Sequence, residues 1–182
     1  MTDEISSILE KEANAVRNIP VSSNYAEAVN LIVEYVHARG GKLVTSGMGK
    51  AGQIAMNIAT TFSSTGTPAF FLHPSDLGIV QANDIMLLIS NSGKTRELVE
   101  LVSLTRGLVP DMKFIVITGN PESELAQEAT VCLPTGAPAE VCPLGLTPTT
   151  STTVMTVIGD ILVVSTMKRI GFTNTDYAKR HH

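Results

Sequence analysis

Three stretches of the sequence collect the residues able to do chemistry. In "GMGKAG" (47–52), Gly47, Gly49 and Gly52 surround Lys50, with Ser46 just ahead. In "ISNSGKTRE" (89–97), Ser90, Asn91, Ser92 and Thr95 surround Gly93. In "AEVCPLGLTPTTSTT" (139–153), Glu140 stands in a loop otherwise poor in charge, ahead of six Ser and Thr residues that include Thr149 and Ser151. The second stretch is the most informative. Three hydroxyls beside a glycine at the start of a helix, with the helix amides and dipole behind them, make a seat for a monophosphate. Helix capping by Ser92 or Thr95 is the plainer account of the same residues.

The first turn satisfies G-x-G-x-x-G, the fingerprint of a dinucleotide site. That site also needs an acidic residue at the end of the second strand, about 20 residues on, and the sequence offers "FLHPS" there. A Walker turn fails as well, because Val44 stands five before Gly49 and Ala51 follows Lys50. Two readings remain: glycines that only make a tight turn, or a turn that brings a small substrate close to the backbone with Lys50 facing it. For Glu140 the choice is between a solvated loop carboxylate and a site residue. The Ser/Thr run after it fits either a helix cap or a polyol site.

The elements that must position these residues alternate. Ile5, Ile8, Leu9 and Val16 recur at helical spacing and predict an opening helix that ends near Pro20. Asn24 and Glu27 have capping-box spacing for a second helix that stops at Gly40. Strands are predicted at 42–46, 69–72, 85–90, 113–118 and, weakly, 131–133. Helices are predicted from the Gly47 turn through about 62, over about 95–106, from Pro121, and over about 151–167. Apolar strands alternating with helices imply a parallel sheet covered on both faces, an α/β three-layer sandwich in one domain spanning 1–182. Ligands of such sheets bind beyond the carboxyl ends of the strands, where both glycine turns fall.

Composition narrows the partners. Lys and Arg number 13 against 17 Asp and Glu, a net charge of -4, and the basic residues are scattered, so a nucleic-acid partner is not expected. The N-terminus has no basic-then-apolar signal pattern, and no uninterrupted apolar run approaches the ~20 residues of a membrane span, so a cytoplasmic protein is expected. Cys132 and Cys142 have no CxxC spacing and read as two reduced thiols. The four histidines suggest no metal site.

Together "GMGKAGQIA", "SNSGKTRE" and "AEVCPLGLTPTTSTT" resemble, in order and over nearly the whole chain, the sugar isomerase (SIS) domain and within it the arabinose-5-phosphate isomerase family. The SNSG turn is common to SIS domains, whereas the PLGLTPT stretch is much more specific. The resemblance implies a flavodoxin-like five-stranded sheet and interconversion of D-arabinose 5-phosphate and D-ribulose 5-phosphate for Kdo and lipopolysaccharide synthesis. It implies no cofactor, a phosphosugar as the small-molecule partner, and a homotetramer.

By the same resemblance, Lys50, Glu97, Glu140 and His181 match the family's active-site positions, and Ser90, Ser92 and Thr95 its phosphate turn. Ser46, Gly47, Gly49, Asn91, Gly93, Thr149 and Ser151 join the expected binding set. His181 is matched through "DYAKRHH", a segment that also fits a purification-tag remnant. Isomerisation moves a proton between C1 and C2 through an enediol. The expected roles are Glu140 as base, His181 in ring opening or exchange at oxygen, Lys50 against enediolate charge, and Glu97 orienting Lys50 or a hydroxyl. Two departures stand out. "HPSDLG" runs straight from Ser75 to Asp76 where the family has a further histidine segment, and the tandem CBS pair of longer members is not in this sequence. The alternatives are another SIS phosphosugar isomerase and a non-catalytic phosphosugar or sugar-nucleotide sensor.

Overall fold

Five short apolar runs form one parallel sheet in the computed structural model, which describes residues 1–180. They are β1 (Leu43–Gly47), β2 (Ala69–Phe71), β3 (Ile85–Ser90), β4 (Lys113–Thr118) and β5 (Val131–Pro134), in the order β2-β1-β3-β4-β5. This is the flavodoxin-like strand order. The helices are α1 (Thr2–Arg17), α2 (Asn24–Ile32), α3 (Gly49–Ser64), α4 (Arg96–Leu108), α5 (Glu124–Glu128), α6 (Thr150–Ile170) and α7 (Asn174–Ala178).

Strand side chains alternate between two cores, as they must in a sheet covered on both faces. Leu43, Ile85, Leu87, Ile89, Ile115 and Ile117 pack with Ile32 of α2, Ile58 and Phe62 of α3, and Ile158 and Leu162 of α6. On the other face Val44, Met86, Leu88, Phe114 and Val116 meet Leu98 and Leu101 of α4 and Leu125 of α5. The expected three-layer α/β sandwich is the observed one. Helix α6 has the length and composition of a membrane span, the one helix to do so among the described residues. Its Val154, Met155, Ile158, Leu162 and Val163 are buried against the sheet and its helices, which accounts for that apolarity.

Several local expectations are corrected. Asn24 does not cap α2: the N-cap position is Ser23, without a side-chain cap. The Asn24 amide instead donates to the Cys132 carbonyl at 2.9 Å and ties α2 to β5. The second helix does run on toward Gly40, but its last turn, Val33–Ala38, widens to π geometry. Pro121 lies in a turn, and α5 starts after Ser123, whose hydroxyl accepts the Ala126 amide. A long-range pairing and a tertiary fit override the local spacing in these cases.

Gly52 is where α3 comes closest to the sheet. A Cβ at Gly52 would lie 2.6 Å from the Gly47 carbonyl oxygen, a backbone atom that cannot rotate away. Gly52→Ala is expected to lower unfolding stability by about 1–3 kcal/mol through overpacking, read as a shift in the urea midpoint. An unchanged midpoint would show that α3 can lift without cost.

Candidate active site

Strands β1 and β3 are neighbours, with Gly47 paired to Ile89. Their connections leave in opposite layers, β1 into α3 on one face and β3 into α4 on the other. That reversal opens a crevice at the carboxyl ends of the two strands. A cavity of about 310 Å³ fills it, lined by Lys50, Ser90, Asn91, Ser92 and Thr95 from the two glycine turns and by Pro148, Ser151 and Thr152 from the start of α6.

The turn at 90–95 is already organised. Ser90 Oγ and Thr95 Oγ1 are 2.7 Å apart, and Ser90 Oγ accepts the Gly93 amide at 3.0 Å. Ser92 Oγ accepts the Lys94 amide at 3.2 Å. Gly93 has φ +64, and a Cβ there would meet Ser123 Oγ at 1.9 Å, so only glycine fits on both counts. Leu125 donates its amide to the Gly93 carbonyl, so the first turn of α5 clamps the turn from behind. Thr95 is the N-cap of α4, whose first amides and dipole point an anion-binding end toward the same crevice.

Glu140 borders a second cavity of about 360 Å³, which shares Asn91 and Pro148 with the first. Its Oε2 accepts the Thr149 amide at 2.7 Å, the Thr149 hydroxyl at 2.9 Å and the Ser151 amide at 3.3 Å. The carboxylate thus caps α6 from a distant loop position. Burial pushes its pKa up, but the hydrogen bonds from Ser151 and Thr149 outweigh that, and the group ends below the ordinary carboxylate value. All three bonds converge on Oε2, while Oε1 makes no hydrogen bond among the described residues. The Ser151 hydroxyl is buried at the wall of the first cavity, near enough to the Glu140 carboxylate to help hold its charge.

The expected residues divide by placement. Lys50, Ser90, Asn91, Ser92, Thr95 and Ser151 line the first cavity, and Thr149 holds Glu140 beside it. Ser46 is fully buried and donates its hydroxyl to the Leu72 carbonyl at 2.7 Å, which ties β1 to the end of β2. Glu97 is exposed on the first turn of α4 and lines neither cavity. Gly47, Gly49 and Gly93 shape the turns. His181 lies outside the described residues. Among those residues no group of three His, Cys, Asp or Glu is placed to hold a metal.

Thr152 and Pro148 line the cavity without having been singled out, although the Ser/Thr run contains the first and adjoins the second. Both cysteines are unpaired. The Cys142 thiol is pulled down to about 6 by the hydroxyl and amide of Thr147 and the amides of Leu144 and Leu146, whereas burial pushes the Cys132 thiol up.

Comparison with known proteins shows the family and the fold. The model of the SIS domain family matches residues 37–165. Arabinose 5-phosphate isomerase KdsD of Yersinia pestis is 41% identical over 178 residues, 95% of this chain and 52% of its own length. The chain therefore spans about half the length of the curated relatives it matches. Among solved structures, a Bacteroides fragilis protein assigned as a phosphosugar isomerase involved in capsule formation is 69% identical, with TM-score 0.99, over 100% of this chain and 97% of its own. The E. coli CFT073 protein c3406, solved in complex with arabinose 5-phosphate, is 34% identical with TM-score 0.86, over 98% and 95%.

Two measurements check the local chemistry. Iodoacetamide at pH 7 should label Cys142 well before Cys132, with a rate that rises through an apparent pKa of about 6; equal labelling would contradict the loop geometry. Glu140, titrating lower when folded, adds stability that is complete above its unfolded pKa of about 4.3 and is lost as pH falls through the lower folded value. Glu140→Gln should therefore lose less stability than the wild type on acidification below that range, and identical acid limbs would contradict the assignment.

Proposed function

Because the chain belongs to the SIS domain family, we propose that it interconverts D-arabinose 5-phosphate and D-ribulose 5-phosphate through an enediol. One observation carries the reading: two adjoining cavities that share Asn91 and Pro148 hold, in the first, an organised monophosphate turn and Lys50, and in the second, a loop carboxylate kept ionised by the helix it caps. The arabinose 5-phosphate complex of the c3406 relative and the KdsD relatives support the choice of pentose. The phosphosugar isomerase assignment of the B. fragilis relative is in keeping with the reaction class.

In this reaction the phosphate lies at the start of α4, bonded by Ser92 and Thr95 and the helix amides. The open sugar chain extends along the cavity past Ser151 and Thr152 toward Glu140. Glu140 takes the proton from C2 of the aldose on Oε1 and returns it to C1, and the hydroxyl proton moves from O2 to O1, so no electrons leave the substrate and no organic cofactor is needed. A carboxylate with a depressed pKa is a weaker base but is fully in its basic form at neutral pH. Lys50 faces the charge that develops on the enediolate oxygen. Glu97 and His181 keep the roles their family positions imply, orientation and exchange at oxygen. Leu144 and Leu146, 76% and 79% exposed on the loop that carries the second cavity, support a partner subunit at this edge; the homotetramer and the cytoplasmic location rest on the family resemblance alone.

A second reading has its own support. Glu140 is fully occupied on one oxygen by capping α6, which is all that a phosphosugar-binding module without turnover would ask of it. Incubation with D-arabinose 5-phosphate, with ribose 5-phosphate and hexose phosphates alongside, separates the two. The isomerase yields ribulose 5-phosphate selectively, and binding without product supports the sensor. Glu140→Gln should lower kcat by about 10²–10⁴-fold with KM changed little. Near wild-type turnover would remove Glu140 from the mechanism.

A further inference from the structure

Thr150, the first residue of α6, donates its hydroxyl to Glu12 Oε1 of α1 at 2.9 Å, across 138 positions of sequence. The same hydroxyl oxygen accepts the Val141 amide at 3.2 Å. A hydroxyl has one proton, and a carboxylate can only accept it. Glu12 therefore draws that proton toward α1 and leaves the oxygen's lone pairs to Val141. The two residues so fixed are the neighbour of Glu140 and the residue between Thr149 and Ser151, whose amides hold the Glu140 carboxylate.

Glu12 has no other evident task. Its Oε2 is buried without a hydrogen-bond partner, an arrangement that costs stability. Helix α1 buries no residue fully and rests on the fold through partly buried Ala15 and Val16.

We propose that Glu12 is a positioning residue for Glu140: acting through the Thr150 hydroxyl and the Val141 amide, it sets the direction in which the Glu140 carboxylate crosses the cavity. This rests on the reading of Glu140 as the base. Misplacement of a reacting group by about 1 Å is enough to cost up to ~10²-fold in rate, so loss of the relay acts on kcat and spares the phosphate turn that governs binding.

The test uses Glu12→Ala, Glu12→Gln, Thr150→Val and the double variant Glu12→Ala/Thr150→Val, with kinetics and amide hydrogen exchange on each. Both single truncations should lower kcat about tenfold or more with KM within about threefold. Glu12→Gln, whose amide oxygen still accepts from Thr150, should restore most of kcat. The double variant should be no worse than either single one, because both remove the same relay. Additive losses, or a Glu12→Gln variant as damaged as Glu12→Ala, would overturn the proposal. Should Glu12→Ala fail to fold, the nearly isosteric Thr150→Val carries the same comparison. If the wild type turns over no phosphopentose, the reading of Glu140 has failed, and the Val141 amide still decides the relay. Exchange about tenfold or more faster in both truncations supports it, and unchanged exchange overturns it.

Discussion

Strands β1 and β3 lie side by side although β2 falls between them in the chain, and the site depends on that placement. Crossover connections in a parallel sheet keep one hand, so a chain that continues past β1 on one face and past β3 on the other must leave a gap between the two departures. The glycine turns line that gap because strand ends offer backbone that no neighbouring strand can satisfy. Helix α4 then starts at its edge with its positive end toward the ligand. Topology and helix polarity place the crevice, and Gly93 with the hydroxyls of Ser90, Ser92 and Thr95 shapes its anion seat.

Helix α6 raises a different demand, since its first amides also need acceptors. Glu140 meets one of them, Ser151, together with the amide of the N-cap Thr149, on one carboxylate oxygen, although it stands nine residues before Thr149 in a loop. The arrangement does two things at once: it ends the helix cleanly and fixes an ionised carboxylate beside a cavity. The two are in tension, because the hydrogen bonds that orient the group also lower its affinity for a proton. The geometry moderates that tension by placing all three bonds on Oε2. Glu12, on the far side of the same helix end, orients the stretch between Val141 and Thr150 without touching the cavity.

Much of this was legible in the sequence where the signal is local. The strand runs, the two glycine turns and the hydroxyls around Gly93 are written in consecutive residues, and they sit where the pattern puts them. The reason Gly93 must be glycine was only half legible: its turn is local, but Ser123, which fills the space a side chain would need, comes from the loop after β4. Asn24 misled because capping spacing is a weak signal and Cys132, its actual partner, is 108 positions away. Ser46 looks like a site hydroxyl beside Gly47, yet strand alternation turns it inward to the Leu72 carbonyl. Glu12 carried no sequence signal at all, since an acidic residue on an amphipathic helix is ordinary until its partner across the fold is known.

The central claim is that the first cavity seats the phosphate at the start of α4 and the sugar carbons reach Glu140 at the adjoining one. A crystal structure of the protein with D-arabinose 5-phosphate bound tests it most directly. The account predicts the phosphate within hydrogen-bond distance, roughly 2.7–3.2 Å, of the Ser92 and Thr95 hydroxyls, with C1 and C2 beside Oε1 of Glu140. A phosphate seated away from this turn, or a sugar chain directed away from Glu140, would contradict it.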